Sequence, residues 1–182
     1  MGGVDISLPN VSYCEDIKDV HYNPYNTVEF YVGNITGSET VKIYTDKTTS
    51  VDVQVSEGNK WCTYLLPKDK GLYNIEGGSV KKVVVKADIT TSGDTIISKS
   101  TIEASFKGSN TSKVTNMSRM FQYCSGLISL DLSGWDISSE TIMSLMFNSC
   151  NSLRTIRMKG CSPDTIKKIT SVKPSGATIV TE

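Results

Sequence analysis

The chain has 182 residues, with 19 basic side chains balancing 19 acidic ones and a single histidine, so it has no net field that would draw it onto nucleic acid or anionic membrane. Its length suffices to bury a sizeable core without staples, and the five cysteines, at 14, 62, 124, 150 and 161, contain no C-x-x-C pair, which reads as buried thiols and not as a disulfide scaffold. No apolar run approaches the roughly 20 residues that span a bilayer, so no membrane insertion is expected, and the opening MGGVDISLPNVSYCED lacks the basic start and apolar run of a secretory signal.

Taken in chain order, residues 1–108 show short alternating runs rich in β-branched and aromatic residues: VEFYV (28–32), TVKIYT (40–45), SVDVQV (50–55), WCTYL (61–65), SVKKVVVKA (79–87), TIIS (95–98) and TIEASF (101–106). Between them NITGSE, SEGNK, PKDKG, IEGG and TTSGD carry the Gly, Asn, Asp or Pro that turns demand. Short strands at this spacing predict an antiparallel β-sandwich of immunoglobulin-like size over 1–108, although the Cys-Trp-Cys signature of an antibody domain is missing. Within it, Trp61 and the tyrosine-rich YNPYNTVEFY offer aromatic platforms for sugars, alternate residues of the latter belonging to the core.

KGSNTSK has linker composition, which places a boundary at residues 109–113. Beyond it the chain repeats itself at an offset of 26: Met117 falls on Met143, Met120-Phe121 on Met146-Phe147, Cys124 on Cys150, Leu127 on Leu153, Leu130 on Ile156, Leu132 on Met158 and Gly134 on Gly160. A period of 20 to 29 enclosing L-x-x-L-x-L is the mark of a leucine-rich repeat. Each unit, 114–138 and 139–161, is predicted to open with a short helix (SRMFQYC, SLMFNSC) and continue into a strand (LISLDL, LRTIRM). In these strands Leu127, Leu130 and Leu132 face the stack, while Ser129 and Asp131 face outward. Residues 162–182 read as a capping unit, with Ser162 as N-cap, Pro163 at the first helical position, and Gly176 before the strand ATIVT. The fold class expected is therefore mainly β with short helices: an N-terminal sandwich followed by a short α/β solenoid with a C-terminal cap.

The pattern from Thr115 to Asp136, T-N-M-S-x-M-F-x-x-C-x-x-L-x-x-L-D-L-S-x-W-D, resembles the BspA-like leucine-rich repeats of bacterial surface proteins. The ending GCSPDTIKKI…PSGATIVT is similar to the way such arrays close, so the resemblance covers about residues 114–182; Met158, Lys159 and Cys161 depart from the family's preferences. It implies adhesion or display at a cell surface and no enzymatic activity. Members carry long arrays and an export signal, whereas two units and no leader also suit a bacteriophage virion component that assembles into a particle or attaches it to a host.

Chemistry has few candidates. His21, in DVHYNPY, is the one imidazole, and reads as a turn or surface histidine. The zinc, dinucleotide and nucleotide motifs are absent, so no metal, cofactor or catalytic residue is expected. The recurrence of Cys124 and Cys150, and of Met117, Met120, Met143, Met146, Phe121 and Phe147, argues for stacked core, since a site needs asymmetry and a stack needs sameness. Asp131 and Asp136 supply the carboxylates of a remote alternative, a glycan-active enzyme. What remains is binding through the outward positions Ser129, Asp131, Thr155 and Arg157, together with Trp61. The expected partner is protein or glycan on a cell surface, or other virion proteins in the phage setting, with no nucleic acid; homo-oligomerisation is compatible with both. The location follows: extracellular or cell-surface for a mature exported fragment, the virion otherwise.

Overall fold

The computed structural model describes the backbone of residues 12–15 and residues 25–182 in full. The elements in chain order are β1 (Ser12–Glu15), β2 (Thr27–Tyr44), β3 (Ser50–Leu65), β4 (Asn74–Glu76), β5 (Val80–Lys86), β6 (Glu103–Ser105), β7 (Ser129–Asp131), β8 (Thr155–Arg157), the helix α1 (Pro163–Val172) and β9 (Thr178–Val180). The protein is mainly β, and these strands form one open mixed sheet in the order β1-β3-β2-β5-β6-β7-β8-β9, with β4 also paired to β2. Pairing is antiparallel from β1 to β5 and parallel from β5 to β9.

The two-layer sandwich expected over 1–108 is therefore not what these strands form: among the described residues every strand joins the same sheet. The reason lies in NITGSE and SEGNK. Both have turn composition, yet the chain passes through them without reversing, so four expected strands become the two long ones, β2 and β3. Asn34 (φ 58°), Gly37 (φ 82°) and Gly58 (φ 97°) take left-handed conformations there, and the β2–β3 register shifts between Val32 and Ile35 and again between Ile35 and Ser38. Such β-bulges bend a hairpin without ending it. TIIS forms no strand either; Ile96 and Ile97 are buried, and the Ile96 N–H donates to Met120 O at 2.9 Å.

Past β5 the chain coils, placing one three-residue strand in the parallel sheet on each circuit. Ala104, Leu130, Ile156 and Ile179 stand opposite one another in successive strands. Leu127, Leu130 and Leu132 are fully buried, as expected; Leu130 and Leu132 follow the alternation of β7, whereas Leu127 precedes the strand and Ile128 beside it is exposed. The expected helices over SRMFQYC and SLMFNSC are stacked turns instead. Arg119, Tyr123, Leu145 and Ser149 have φ between 58° and 64°, which an α-helix of L-residues excludes. Their backbone bonds run from coil to coil: Met117 N–H to Ile142 O (2.8 Å), Phe121 N–H to Met146 O (2.9 Å) and Tyr123 N–H to Asn148 O (2.8 Å). The periodic Met and Phe thus mark circuits of the chain, not turns of a helix. The single helix among the described residues, α1, starts as predicted, with the Ser162 hydroxyl accepting from Thr165 N–H at 3.2 Å and Pro163 in its first turn.

Residues 109–113, with their linker composition, are held inside the stack. Ser109 and Thr111 are buried, Asn110 N–H donates to Ala87 O at 3.0 Å, and the Ser109 hydroxyl donates to Val85 O at 3.0 Å. One hydrophobic core runs without a break from Val28 to Ala177. At its centre four rings form a column: Trp135 against Phe106 (5.9 Å between centroids), Phe106 against Phe121 (5.8 Å), and Phe121 stacked on Phe147 (5.5 Å).

Thr101 is an exception within this core. It occupies the place of Leu127 and Leu153 in the coil before them, it is fully buried, and its hydroxyl makes no hydrogen bond. A hydroxyl stripped of water and given no partner destabilises its fold. Thr101→Val should therefore raise the unfolding free energy by about 1 kcal/mol in urea titration; a loss of that size would mean that the hydroxyl has a partner.

Candidate functional site

Because residues opposite one another in adjacent strands face the same side of a sheet, the pairing defines two rows across the outward face. The first runs from Trp61 through Tyr31, Lys82, Glu103, Ser129 and Thr155 to Thr178. The second runs from Thr63 through Glu29, Val84, Ser105, Asp131 and Arg157 to Val180. Between neighbouring rungs the spacing is that of adjacent strands, about 4.8 Å. The rows enclose a groove of about 390 Å³, lined by Trp61 and Glu29 at one end and Asp131 and Arg157 at the other.

Of the outward residues expected to bind, Ser129, Asp131, Arg157 and Trp61 line this groove; Thr155 lies on the same face between Ser129 and Thr178 without lining it. Sequence reasoning missed Glu29 and the groove's middle, Lys82, Val84, Glu103 and Ser105. A signal was present: the offset of 26 also carries Glu103-Ala104-Ser105 onto Ser129-Leu130-Asp131 and Gly108 onto Gly134. With alanine and phenylalanine in place of leucines, that rung reads as an ordinary strand. His21 lies outside the described residues.

Each polar group in the groove is set by its strand. The Asp131 carboxylate accepts from Ser133 N–H at 2.9 Å, which fixes it at the end of β7. Lys82 Nζ stands 3.7 Å from Glu103 Oε2, with both side chains about half exposed, a contact beyond hydrogen-bond reach. Arg157 is exposed and, among the described residues, its guanidinium makes no hydrogen bond or ion pair. Trp61 is half-buried, its ring tilted 50° against Tyr31 at 5.4 Å. The wall thus alternates hydroxyls with opposite charges and ends on an aromatic surface. Among the described residues no group of three or more His, Cys, Asp or Glu side chains is placed to hold a metal ion.

The cysteines lie elsewhere. Cys62 is disulfide-bonded, which departs from the expectation of thiols throughout; Cys124, Cys150 and Cys161 are free. Burial pushes the Cys124 thiol up to about 12, helped by neighbouring Cys150, and pushes Cys150 up to about 11. The Cys150 thiol donates to Phe121 O at 2.8 Å. Nucleophilic chemistry needs the thiolate, which burial disfavours at both. They also make stability depend on pH. The folded state holds these protons to about 11 or 12, while an unfolded thiol loses its own near 9.0. The unfolded chain then binds fewer protons, so stability present below about pH 9 should fall as the pH rises toward 11–12. Tyr25 and Tyr73, pushed up to about 12 by desolvation and by hydrogen bonds to Asp88 and Asp94, add to the same trend. Urea midpoints at about pH 8 and pH 10.5 test it, and an unchanged midpoint would contradict it.

Residues 86–171, from the end of β5 through most of α1, match the profile of a family described as Mycoplasma protein of unknown function, DUF285. This span is just under half of the chain and takes in β6, β7 and β8, the strands that carry Glu103, Ser105, Ser129, Asp131 and Arg157. No curated protein and no solved structure matches the chain.

Proposed function

We propose that the protein is a non-enzymatic recognition module that adheres to glycan or protein on a cell surface through the outward face of its sheet, and that its coils are a short leucine-rich-repeat stack of the BspA-like kind. One observation carries the reading: strands far apart in the chain bring Trp61, Ser129, Asp131 and Arg157 to one groove. Aromatic and arginine side chains, here Trp61 and Arg157 at the two ends of the groove, are residue types that recognition surfaces favour. Solenoids commonly bind through such open faces. A disulfide at Cys62 is at home in an oxidising setting such as a cell exterior.

The test is a glycan, protein and host-surface binding screen on the intact chain, run alongside Asp131→Asn and Arg157→Ala. Asp131→Asn retains an oxygen for Ser133 N–H, so it changes charge without removing that bond. Each variant should weaken surface binding by about tenfold. Binding that neither variant alters, or a stable oligomer that binds no surface at all, would overturn the reading.

A further inference from the structure

We infer that the groove holds an extended, uncharged oligosaccharide running across the strands, with Trp61 against one end and Arg157 at the other. This rests on the recognition function proposed above and narrows its ligand. The charges decide the class. Three carboxylates and two cations line the groove, and each cation has a carboxylate on the neighbouring strand: Lys82 stands beside Glu103, and Asp131 is the rung neighbour of Arg157. A polyanion laid along these rungs meets the carboxylates, and a polycation meets the lysine and arginine. A sugar hydroxyl donates and accepts at once, so it uses both members of such a pair. The Lys82–Glu103 pair is too long to satisfy either partner, and the Arg157 guanidinium keeps its donors for a ligand.

The shape agrees. From the strand of Trp61 to that of Arg157 are five strand spacings, about 24 Å measured from strand to strand. A pyranose ring in an extended chain advances by about the same length as one spacing, so a chain of about five rings spans the strands from Trp61 to Arg157. Trp61 supplies the flat apolar surface on which a sugar ring's C–H face packs. Apolar peptide anchors find little to hold: Val83 and Ala104 turn into the core, leaving Val84 as the aliphatic side chain on the groove floor.

The chain's two tryptophans make the test direct, because Trp135 is 1% exposed and only Trp61 stands at the groove. Neutral linear gluco-, manno- and N-acetylgluco-oligosaccharides of about one to six rings are titrated against intrinsic fluorescence and by calorimetry, with heparin and polygalacturonate fragments as charged probes. Affinity should rise by at least about tenfold from two rings to about five and then level off. Trp61→Phe should abolish the fluorescence change, and Arg157→Ala should weaken the long chains by about tenfold while leaving those of two or three rings unaffected. Absence of neutral-oligosaccharide binding, tighter binding of the charged fragments, or affinity independent of length would each overturn it. Where a protein surface is bound and Arg157→Ala abolishes that binding while no oligosaccharide binds, the recognition function stands and this ligand falls; where groove variants alter nothing, both fall.

Discussion

Leu130→Ala is expected to lower the unfolding free energy by about 2–5 kcal/mol, while Asp131→Ala, one residue on, should cost roughly 0.5–1.5 kcal/mol. Leu130 is fully buried at the middle of β7, between Ala104 of β6 and Ile156 of β8, so truncation leaves a cavity that the two flanking strands, held by their own ladder bonds, cannot close. Asp131 is half-buried on the opposite face, and its loss removes the single bond to Ser133 N–H. Urea titration of both variants reads the difference. Equal costs would mean that the inward and outward faces of β7 have been exchanged, since a shift of one residue moves every side chain to the other side.

Phe121→Ala should cost about 3–5 kcal/mol, at the upper end for core truncations. Its ring is fully buried, packs edge-on to Phe106 and lies parallel to Phe147, so its removal breaks the aromatic column in the middle. Phe121→Leu keeps most of the volume and should cost about 1.5 kcal/mol or less. Near-ultraviolet circular dichroism adds a second readout, because Trp135 joins the column through Phe106, to whose carbonyl its indole N–H donates at 3.2 Å. A Phe121→Ala loss below about 1 kcal/mol would mean that the column is not a continuous packing unit.

How far residue patterns lead here depends on the range of the forces involved. The outward positions Ser129, Asp131, Thr155 and Arg157 follow from alternation about the buried Leu130 and Ile156, a local property of three-residue strands. The start of α1 follows from Ser162 and Pro163 for the same reason. The sandwich and the two short helices failed because their patterns admit a second origin. Bulge and turn draw on the same residues, so Asn34, Gly37 and Gly58 read equally well as either. Methionine and phenylalanine at intervals of three and four suit a helix, and also suit a coil that turns inward at those positions. The groove's middle escaped because strand order is a non-local fact: nothing in the spacing of VKKVVVK and EAS states that they are neighbours.

β5 has one edge bonded antiparallel to β2 and the other bonded parallel to β6. The hairpin and the coils therefore own a strand in common, and neither can melt without stripping that strand of half its ladder. Heat or urea should meet one cooperative unit with a single transition, and a protease should find no soft junction at residues 107–113, whatever their composition suggests. Cutting the gene there would yield two fragments with raw sheet edges in place of two domains.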